Sequence, residues 1–313
     1  MQETLLILLG LTGLWLGTEL VIKGAVNIAV YYQLSQVFIG LAILSVGTDL
    51  PEIVIALNAS FHKVIGHTNT SGIVIGNAIG SSFSQISIVL GTVGLFGYLT
   101  LKKRHLFEDG VMLIGSLILV IILSIDGKIS RVDGFVLILV YLIYYFRLFH
   151  QERIGKKIKK QLSKHIGKDI FYLIMGIIIV IFTSELVVDN SIGLAEKFGI
   201  RQSFIGIIIL GLGTSLPEFA LALNAVRKKA GGLSVGNLIG SNIFDILVPV
   251  GMGASISELV IEKSLIYFDM IFLLMLSLLV LFFFKKKKGL QKIESVILIG
   301  IFIIYALLKV FGV

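Results

Sequence analysis

The feature that most constrains this chain is a succession of long apolar runs that extends along its whole length. Hydrophobic residues make up 56% of its 313 residues, and its mean hydropathy of +1.00 is far above that of water-soluble domains. A helix of about 20 apolar residues crosses the hydrocarbon core of a bilayer. The runs that approach or exceed this length are residues 3–24, 36–60, 72–98, 109–126, 133–149, 169–190, 202–226, 234–256, 265–284 and 293–311. We therefore predict an all-α, polytopic membrane protein with ten transmembrane helices.

Two other classes of site or fold are disfavoured by composition. A membrane barrel would show short segments of alternating polarity, and this chain has long apolar runs instead. The chain has no cysteine, so it can form neither a disulfide nor a thiolate metal site.

Lysine and arginine are distributed unevenly between the two sides of the predicted membrane. If the N-terminus lies outside, most basic residues fall in the inner loops, above all in residues 147–168, RLFHQERIGKKIKKQLSKHIGK. The positive-inside rule then predicts that both termini lie outside a cell membrane and that residues 150–168 form a cytoplasmic linker on anionic lipid. The net charge of +8 is explained by this topology, and no nucleic-acid partner is predicted. The N-terminal MQETLLILLG has no basic residue, so we expect a retained first helix and no cleaved signal peptide.

One polar stretch occurs twice within the apolar runs. The copies are GTDLPEIVIALNA at 47–59 and GTSLPEFALALNA at 213–225. A Gly-Asn-x-Ile-Gly-Ser run follows each copy, at 76–81 and 236–241. The two copies of the first stretch are 166 residues apart, and weaker matches elsewhere keep the same offset.

This duplication divides the chain into two halves of five predicted spans each. Five is odd, so the second half enters the membrane upside down relative to the first. Inverted-topology repeats are typical of secondary transporters, whose substrates bind near the midplane where the halves meet. We predict a first repeat at 1–149, the basic linker at 150–168 and a second repeat at 169–313.

The first duplicated stretch predicts a broken helix at each copy. Proline removes a backbone donor and opens the helix one turn before it, and open backbone is tolerated in a membrane only where it lines a cavity. Glu52 and Glu218 directly follow the two prolines, and an ionisable group at membrane depth indicates a functional site. Thr48 and Thr214 lie four residues earlier, on the same side of the helix.

Oxygen ligands of this kind indicate a hard cation. Ca²⁺ takes six to eight oxygens from carboxylates, carbonyls, hydroxyls and water, and the absence of nitrogen and sulfur ligands argues against zinc or copper. The second duplicated run adds Ser81 and Gln85 on one helical face, and Ser241 and Asp245 on the equivalent face of the other half. Its glycines allow close helix packing.

These motifs resemble the two alpha repeats of the cation/Ca²⁺ exchanger superfamily, most closely its prokaryotic Na⁺/Ca²⁺ exchanger branch. The repeats would be residues 40–91 and 206–251, and the resemblance covers essentially the whole chain. It implies two inverted five-helix halves around four cation sites in a diamond, one for Ca²⁺ and the others for Na⁺. The implied function is antiport of Ca²⁺ for Na⁺ by alternating access. We expect a monomer in the lipid bilayer with no enzymatic activity and no cofactor beyond the transported ions.

The resemblance also implies roles for single residues at the centre of the site. Glu52 and Glu218 are similar to the central carboxylates that bind Ca²⁺ or Na⁺. Thr48 and Thr214 are similar to ligands at the helix breaks, partly through their carbonyls.

Further roles follow for the Na⁺ sites. Ser45 and Gly211 stand where the family offers backbone carbonyls. Ser81 and Ser241 resemble the hydroxyl ligands of the outer and inner Na⁺ sites, and Asp245 corresponds to the acid of the middle site.

Two positions depart from the family pattern. Asp49 stands where many members have serine, as the second half does at Ser215, which lies beside the hydroxyl ligands of its half. Gln85 stands where asparagine is usual. If Asp49 faces the cavity, it joins Glu52, Glu218 and Asp245, and four carboxylates this close require compensating cations or protons. The alternative is that Asp49 points into an aqueous vestibule.

The departures leave the coupling ion open between three alternatives. Beside Na⁺ coupling, the extra acid favours H⁺, and the run SNIFDI at 241–246 also resembles K⁺-dependent exchangers. The proton-coupled branch usually carries a glutamate shortly after its Gly-Asn pair. In this chain Gly80 and Gly240 follow the two Gly-Asn pairs instead, which counts against H⁺ coupling.

Overall fold

The structure, a computed structural model, describes residues 2–31, 45–66, 69–100, 103–151, 166–227, 231–287 and 289–310. The α-helices are α1 (Gln2–Tyr31), α2 (Ser45–Thr48), α3 (Leu50–Val64), α4 (Ser71–Ser84), α5 (Leu90–Phe96), α6 (Lys103–Leu123), α7 (Arg131–Gln151), α8 (Ile166–Phe198), α9 (Gln202–Ile205), α10 (Gly211–Thr214), α11 (Leu216–Arg227), α12 (Gly231–Ile256), α13 (Ile271–Lys287) and α14 (Lys292–Val310). Three π-helical segments adjoin them, at Gln85–Val89, Gly206–Leu210 and Leu265–Met270.

Helices in the described part confirm a multi-pass membrane bundle. Those that are long and apolar enough to cross a membrane number eight, namely Gln2–Ile28, Ser71–Phe96, Leu106–Leu123, Ile166–Phe198, Gln202–Arg227, Ser234–Ile256, Leu265–Lys286 and Lys292–Val310. Helix α7 coincides with the predicted fifth span, although it does not meet the same criterion. Residues 36–44 of the predicted second span and 152–165 of the predicted linker lie outside the described residues.

The two helices that carry the Gly-Asn runs lie at the centre of the bundle. Within the most apolar 18 residues of each segment, 94% are buried in Ser71–Phe96 and 78% in Ser234–Ile256, against 22–50% in the other six. These two segments also have the lowest hydropathy of the eight. A helix that does not face lipid can carry polar residues, because neighbouring helices satisfy them.

Helices α1 and α8 form a closely packed antiparallel pair. A Cβ atom at Gly17 would lie 3.1 Å from the carbonyl oxygen of Gly176, and one at Gly24 would lie 2.6 Å from that of Asp169. As the residue number rises from Gly17 to Gly24 along α1, the facing residue on α8 falls from Gly176 to Asp169, so the two helices run antiparallel. Small residues at such contacts let two backbones approach closely in a membrane.

Glycines also bring α4 against the helix that precedes the second break. A Cβ at Gly76 would meet the carbonyl oxygen of Ser203 at 2.6 Å, and one at Gly80 would meet that of Ile207 at 2.2 Å. On the opposite side, a Cβ at Gly211 would lie 2.3 Å from the carbonyl carbon of Gly80. The close approach places the second helix break beside the polar residues of α4.

Two short β contacts connect the loops. Strand β1 (Lys128–Ile129), after α6, pairs antiparallel with β2 (Leu259–Val260), after α12. A single antiparallel bridge joins Leu99, before α6, to Leu290, before α14. Each contact therefore joins a loop of the first half to a loop of the second half.

Candidate ion-binding site

Both duplicated GT(D/S)LPE motifs form a helix break of one residue, as the prolines predict. Helix α2 ends at Thr48 and α3 begins at Leu50, while α10 ends at Thr214 and α11 begins at Leu216. The proline is the second residue of each following helix, where a missing N–H costs little. Between the helices a single residue leaves helical geometry, so carbonyl groups of the preceding turn are freed at each break.

Four carboxylates lie close to these breaks and are completely buried. Asp49, Glu52, Glu218 and Asp245 each have 0% exposure. Asp49 is near enough to Glu218 and to the hydroxyl of Ser241 for an electrostatic interaction, although no hydrogen bond joins these side chains in the structure. Its side chain is fully buried and therefore belongs to the same buried group. We call these four groups the carboxylate cluster.

Ser81 connects the two halves at one side of the cluster. Its hydroxyl donates to Glu52 Oε1 at 2.8 Å and lies 3.2 Å from the hydroxyl of Ser215. The Ser215 hydroxyl donates to the carbonyl of Gly211 at 2.7 Å. The structure thus brings together four residues predicted for the site. Glu52 and Ser81 come from α3 and α4 of the first half, whereas Gly211 and Ser215 come from α10 and the break of the second half.

Gln85 connects Ser81 to the fourth carboxylate. Its Nε2 atom donates to Ser81 Oγ at 3.2 Å and to Asp245 Oδ2 at 2.9 Å. Its Oε1 atom accepts a hydrogen bond from Asn242 Nδ2 at 2.8 Å. Sequence reasoning missed Asn242, although an amide directly after the duplicated run and three residues before Asp245 was the signal that could have indicated it.

A second amide, also missed, holds the break of the second half. Thr214 Oγ1 donates to Asn77 Oδ1 at 3.3 Å, and both side chains are buried. Asn77 is the asparagine of the first Gly-Asn run, so its duplication was the available signal. Thr48, the equivalent of Thr214, is also buried, and Ser45 lies at the start of α2, four residues before the first break.

Several buried oxygens in the cluster lack a hydrogen-bond partner among the described residues. They are both carboxylate oxygens of Asp49, both of Glu218, Glu52 Oε2, Asp245 Oδ1 and the Ser241 hydroxyl. Burying a carboxylate without a partner is costly, so such oxygens call for an opposite charge. They are hard ligands, suited to Na⁺ or Ca²⁺.

The carboxylates of the cluster do not by themselves provide a complete metal-binding group among the described residues. Within the described ranges, no three Asp, Glu or His side chains are grouped closely enough to hold one ion by themselves. Hydroxyls and the carbonyls freed at the breaks must therefore complete any coordination shell. An arrangement of this kind suits several neighbouring ions, each bound by a mixture of oxygens.

Comparisons with known proteins point in one direction. A sequence model of the family described as "Sodium/calcium exchanger protein" matches residues 3–149 and 168–311. The chain is 31% identical over 300 residues to "Uncharacterized membrane protein MJ0091" of Methanocaldococcus jannaschii, covering 95% of this chain and 94% of that protein. It is 25% identical over 343 residues to "Sodium/calcium exchanger MaX1" of Methanosarcina acetivorans, covering 96% of each.

A solved structure shows the same architecture. The sodium-calcium exchanger NCX_Mj, soaked with 2.5 mM Na⁺ and 10 mM Sr²⁺, superposes with a TM-score of 0.67. The two proteins have 29% sequence identity, and the match covers 97% of each chain. The similarity therefore extends over the whole fold, including the segments that carry the carboxylate cluster.

Proposed function

Because the chain belongs to the sodium/calcium exchanger protein family, we propose that it is a secondary active antiporter that exchanges Ca²⁺ for Na⁺ across the membrane by alternating access. The observation that carries this proposal is the fully buried carboxylate cluster at two helix breaks, with carboxylate oxygens that have no donor among the described residues. Such a site is suited to cations that are transported and need no resident cofactor.

The proposed architecture has ten transmembrane helices in two inverted repeats, at 1–149 and 169–313. Its support is the pairing of features between the halves. Each half has a break of the same form, and the two β contacts are counterparts: Ile129 with Leu259, and Leu290 with Leu99, each join the last loop of one half to the preceding loop of the other half. We further propose that both termini lie outside, that residues 150–168 form a cytoplasmic linker, and that the protein works as a monomer.

Competition for two central carboxylates provides the exchange. We assign Ca²⁺ to Glu52 and Glu218, together with the carbonyls of Thr48 and Thr214. Na⁺ ions would use the same two carboxylates, but would be bound at positions on either side of the Ca²⁺ position. Ser81, Ser215 and the Gly211 carbonyl would form the outer Na⁺ site. Ser241, Asp49 and the Ser45 carbonyl would form the inner Na⁺ site.

Electrostatics then couples the two ions. Several uncompensated carboxylates in a water-excluded site carry a large desolvation penalty, so the empty site cannot become occluded. One Ca²⁺ or several Na⁺ remove that penalty, and only a loaded site can pass between the two faces. Transport in one direction therefore requires return with the other ion, which is exchange and not leak.

The α1–α8 pair is the element that we expect to move. It packs tightly on itself through the Gly17 and Gly24 contacts. Across the core, Asn58 of α3 donates a hydrogen bond to Ser184 of α8. A rigid pair that slides across α3 and α11 would expose the cluster to each side in turn, which is the alternating access that the exchange requires.

The test is uptake of radioactive calcium into proteoliposomes under imposed Na⁺, K⁺ or pH gradients. We expect uptake driven by an outward Na⁺ gradient, independent of pH once a protonophore is present. Uptake driven only by the pH gradient would replace this proposal by Ca²⁺/H⁺ exchange. Uptake that needs K⁺ together with Ca²⁺ would make it K⁺-dependent exchange, and uptake without any counter-gradient would overturn antiport altogether.

A further inference from the structure

A hydrogen bond joins Asn58 of α3 to Ser184 of α8, while its counterpart in the other half, between Asn224 of α11 and Thr18 of α1, is not formed. We call Asn58 and Ser184 the outer pair, and Thr18 and Asn224 the inner pair. We propose that the two bonds form alternately, one in each access state, and that this structure is the state in which the outer side is closed. The inference rests on the proposed function, since it assigns one bond to each step of alternating access.

The offset of the duplication identifies the counterparts. Each residue of the first half has its equivalent 166 positions later, so Asn58 corresponds to Asn224 and Thr18 corresponds to Ser184. Because the proposed repeats are inverted, exchanging the conformations of the two halves turns a state closed on one side into a state closed on the other. The same exchange turns the outer pair into the inner pair. A bond made by one pair in this structure therefore predicts a bond made by the other pair in the opposite state.

The Thr18 hydroxyl is left unsatisfied in this structure. Thr18 has 0% exposure, and its Oγ1 atom has no hydrogen-bond partner among the described residues. Two other threonines of the α1–α8 pair donate to a carbonyl one turn earlier in their own helix, Thr12 at 2.8 Å and Thr183 at 2.7 Å. A buried hydroxyl without a partner is costly, so its retention at Thr18 is explained if the partner is reached in another conformation.

The two asparagines differ in exposure as this interpretation requires. Asn58 is partly buried at its contact with α8, whereas Asn224 is exposed. Among the described residues, α8 also packs along α3 more extensively than α1 packs along α11. In the proposed topology α3 runs from the first break toward the outer side, and α11 runs from the second break toward the inner side. The contact is therefore closed on the outer side and released on the inner side.

A second contact closes the outer side one turn further along. His62 Nε2 of α3 lies 3.2 Å from Asp189 Oδ1 of α8. The equivalents at the same offset are Lys228 and Lys23, which are both basic, although the position of Lys228 lies outside the described residues. Two ammonium groups repel each other, so this contact has no equivalent on the inner side. Closure of the inner side consequently depends more strongly on the hydrogen bond of the inner pair.

Cross-linking of each pair tests the alternation, and the chain has no native cysteine to remove first. The variants are Asn58→Cys with Ser184→Cys, and Thr18→Cys with Asn224→Cys, treated in proteoliposomes with a short bis-methanethiosulfonate reagent. We expect each pair to cross-link, each cross-link to stop calcium uptake, and a thiol reductant to restore uptake. An inner pair that cross-links under no Na⁺ or Ca²⁺ gradient, or uptake that continues with either pair cross-linked, would overturn the inference.

Breaking the bond of the outer pair should favour the inner pair, which tests the competition without any measurement of transport. Ser184→Ala, added to Thr18→Cys with Asn224→Cys, removes the acceptor of Asn58. We expect the inner pair to cross-link up to about tenfold faster, the equilibrium ratio that one hydrogen bond supplies. Thr183→Val is the matched control, because it removes a neighbouring hydroxyl that bonds within α8, and it should leave the rate unchanged. Equal rates in the two backgrounds would refute competition between the pairs.

Failure of this inference can be distinguished from failure of the proposed function. If the pairs cross-link alternately while no Na⁺, K⁺ or pH gradient drives calcium uptake in the wild type, the exchange of Ca²⁺ is refuted and the alternation stands. If an outward Na⁺ gradient drives uptake in the wild type but only the outer pair ever cross-links, the exchange stands and the alternation is refuted.

Discussion

Asp49 and Ser215 occupy the same position in the two helix breaks, and their backbones have nearly the same conformation. The angles are φ −85° and ψ 7° at Asp49, and φ −78° and ψ 0° at Ser215. Their side chains behave differently. The Ser215 hydroxyl donates to the carbonyl of Gly211 at 2.7 Å, whereas neither oxygen of Asp49 has a hydrogen-bond partner among the described residues. The two breaks therefore present different charge to an ion within an equivalent backbone.

Asp49→Ser would make the two breaks chemically equivalent. The variant removes one buried negative charge. We therefore expect each Ca²⁺ to be exchanged for one monovalent cation fewer than in the wild type. The reversal potential of exchange currents in supported membranes, measured against imposed Na⁺ and Ca²⁺ gradients, reports this ratio. Asp49→Asn, which keeps the size of the side chain, should shift it equally. An unchanged reversal potential in both variants would mean that Asp49 binds no transported charge.

The two central glutamates should be indispensable. Glu52→Gln and Glu218→Gln keep the shape of each side chain and remove its charge, so Ca²⁺ loses one of its two strongest ligands. We expect Ca²⁺ uptake to fall by at least about a hundredfold in each, the effect of leaving a buried charge without its partner. Elution as a single symmetric peak in size-exclusion chromatography would establish that the variants are folded. Normal uptake in either one would remove that glutamate from the site.

The helix breaks were predictable from the sequence because their cause is local. Pro51 and Pro217 each open the backbone within one turn, and the glutamate that follows must enter the same cavity. Duplication of the stretch added the second site to the first. The breaks themselves needed only the order of residues along one helix, and the structure has them at Asp49 and Ser215 as predicted.

Contacts between distant helices were not predictable in the same way. Gln85 and Asp245 are 160 positions apart, and nothing near either residue indicates that their side chains meet. Their contact depends on how closely α4 and α12 approach, which is set by packing of the whole bundle. The pairing of Lys309 with Asp269 was missed for the same reason, since the sequence indicates only a basic residue at the end of the last helix.

The glycine contact between α4 and the second half should be sensitive to a single methyl group. A Cβ at Gly80 would lie 2.2 Å from the carbonyl oxygen of Ile207, and backbone cannot move aside as a side chain can. We expect Gly80→Ala to destabilise the protein by about 1–3 kcal/mol and to abolish transport, because it separates Ser81 from Ser215. Thermal unfolding in detergent and calcium uptake are the measurements.

Gly115→Ala is the matched control for that substitution. Gly115 lies in α6, and a Cβ there would meet nothing within 4 Å among the described residues. Alanine is the better helix former by about 1 kcal/mol, so this variant should be as stable as the wild type or more so. Wild-type stability in Gly80→Ala would show that α4 and the second break can move apart without cost.

A buried ion pair outside the carboxylate cluster should contribute to stability. Asp269 accepts hydrogen bonds from the hydroxyl of Tyr305 at 2.6 Å and from Nζ of Lys309 at 3.0 Å, and it is fully buried. Lys309→Met leaves this carboxylate without its cation in a low-dielectric environment. We expect a loss of about 3–5 kcal/mol in unfolding free energy, since breaking a buried pair from one side exposes the full desolvation cost.

The double variant Lys309→Met with Asp269→Asn separates charge from packing. With both charges removed, the desolvation cost disappears from both partners, so most of the lost stability should return. Lys128→Met is the comparison at an exposed pair, because Lys128 and Glu258 are 49% and 45% exposed, and it should cost about 1 kcal/mol or less. Thermal unfolding of all three variants in the same detergent gives the ranking. A double variant as unstable as Lys309→Met would mean that the lysine stabilises the helix ends by packing and not by neutralising Asp269.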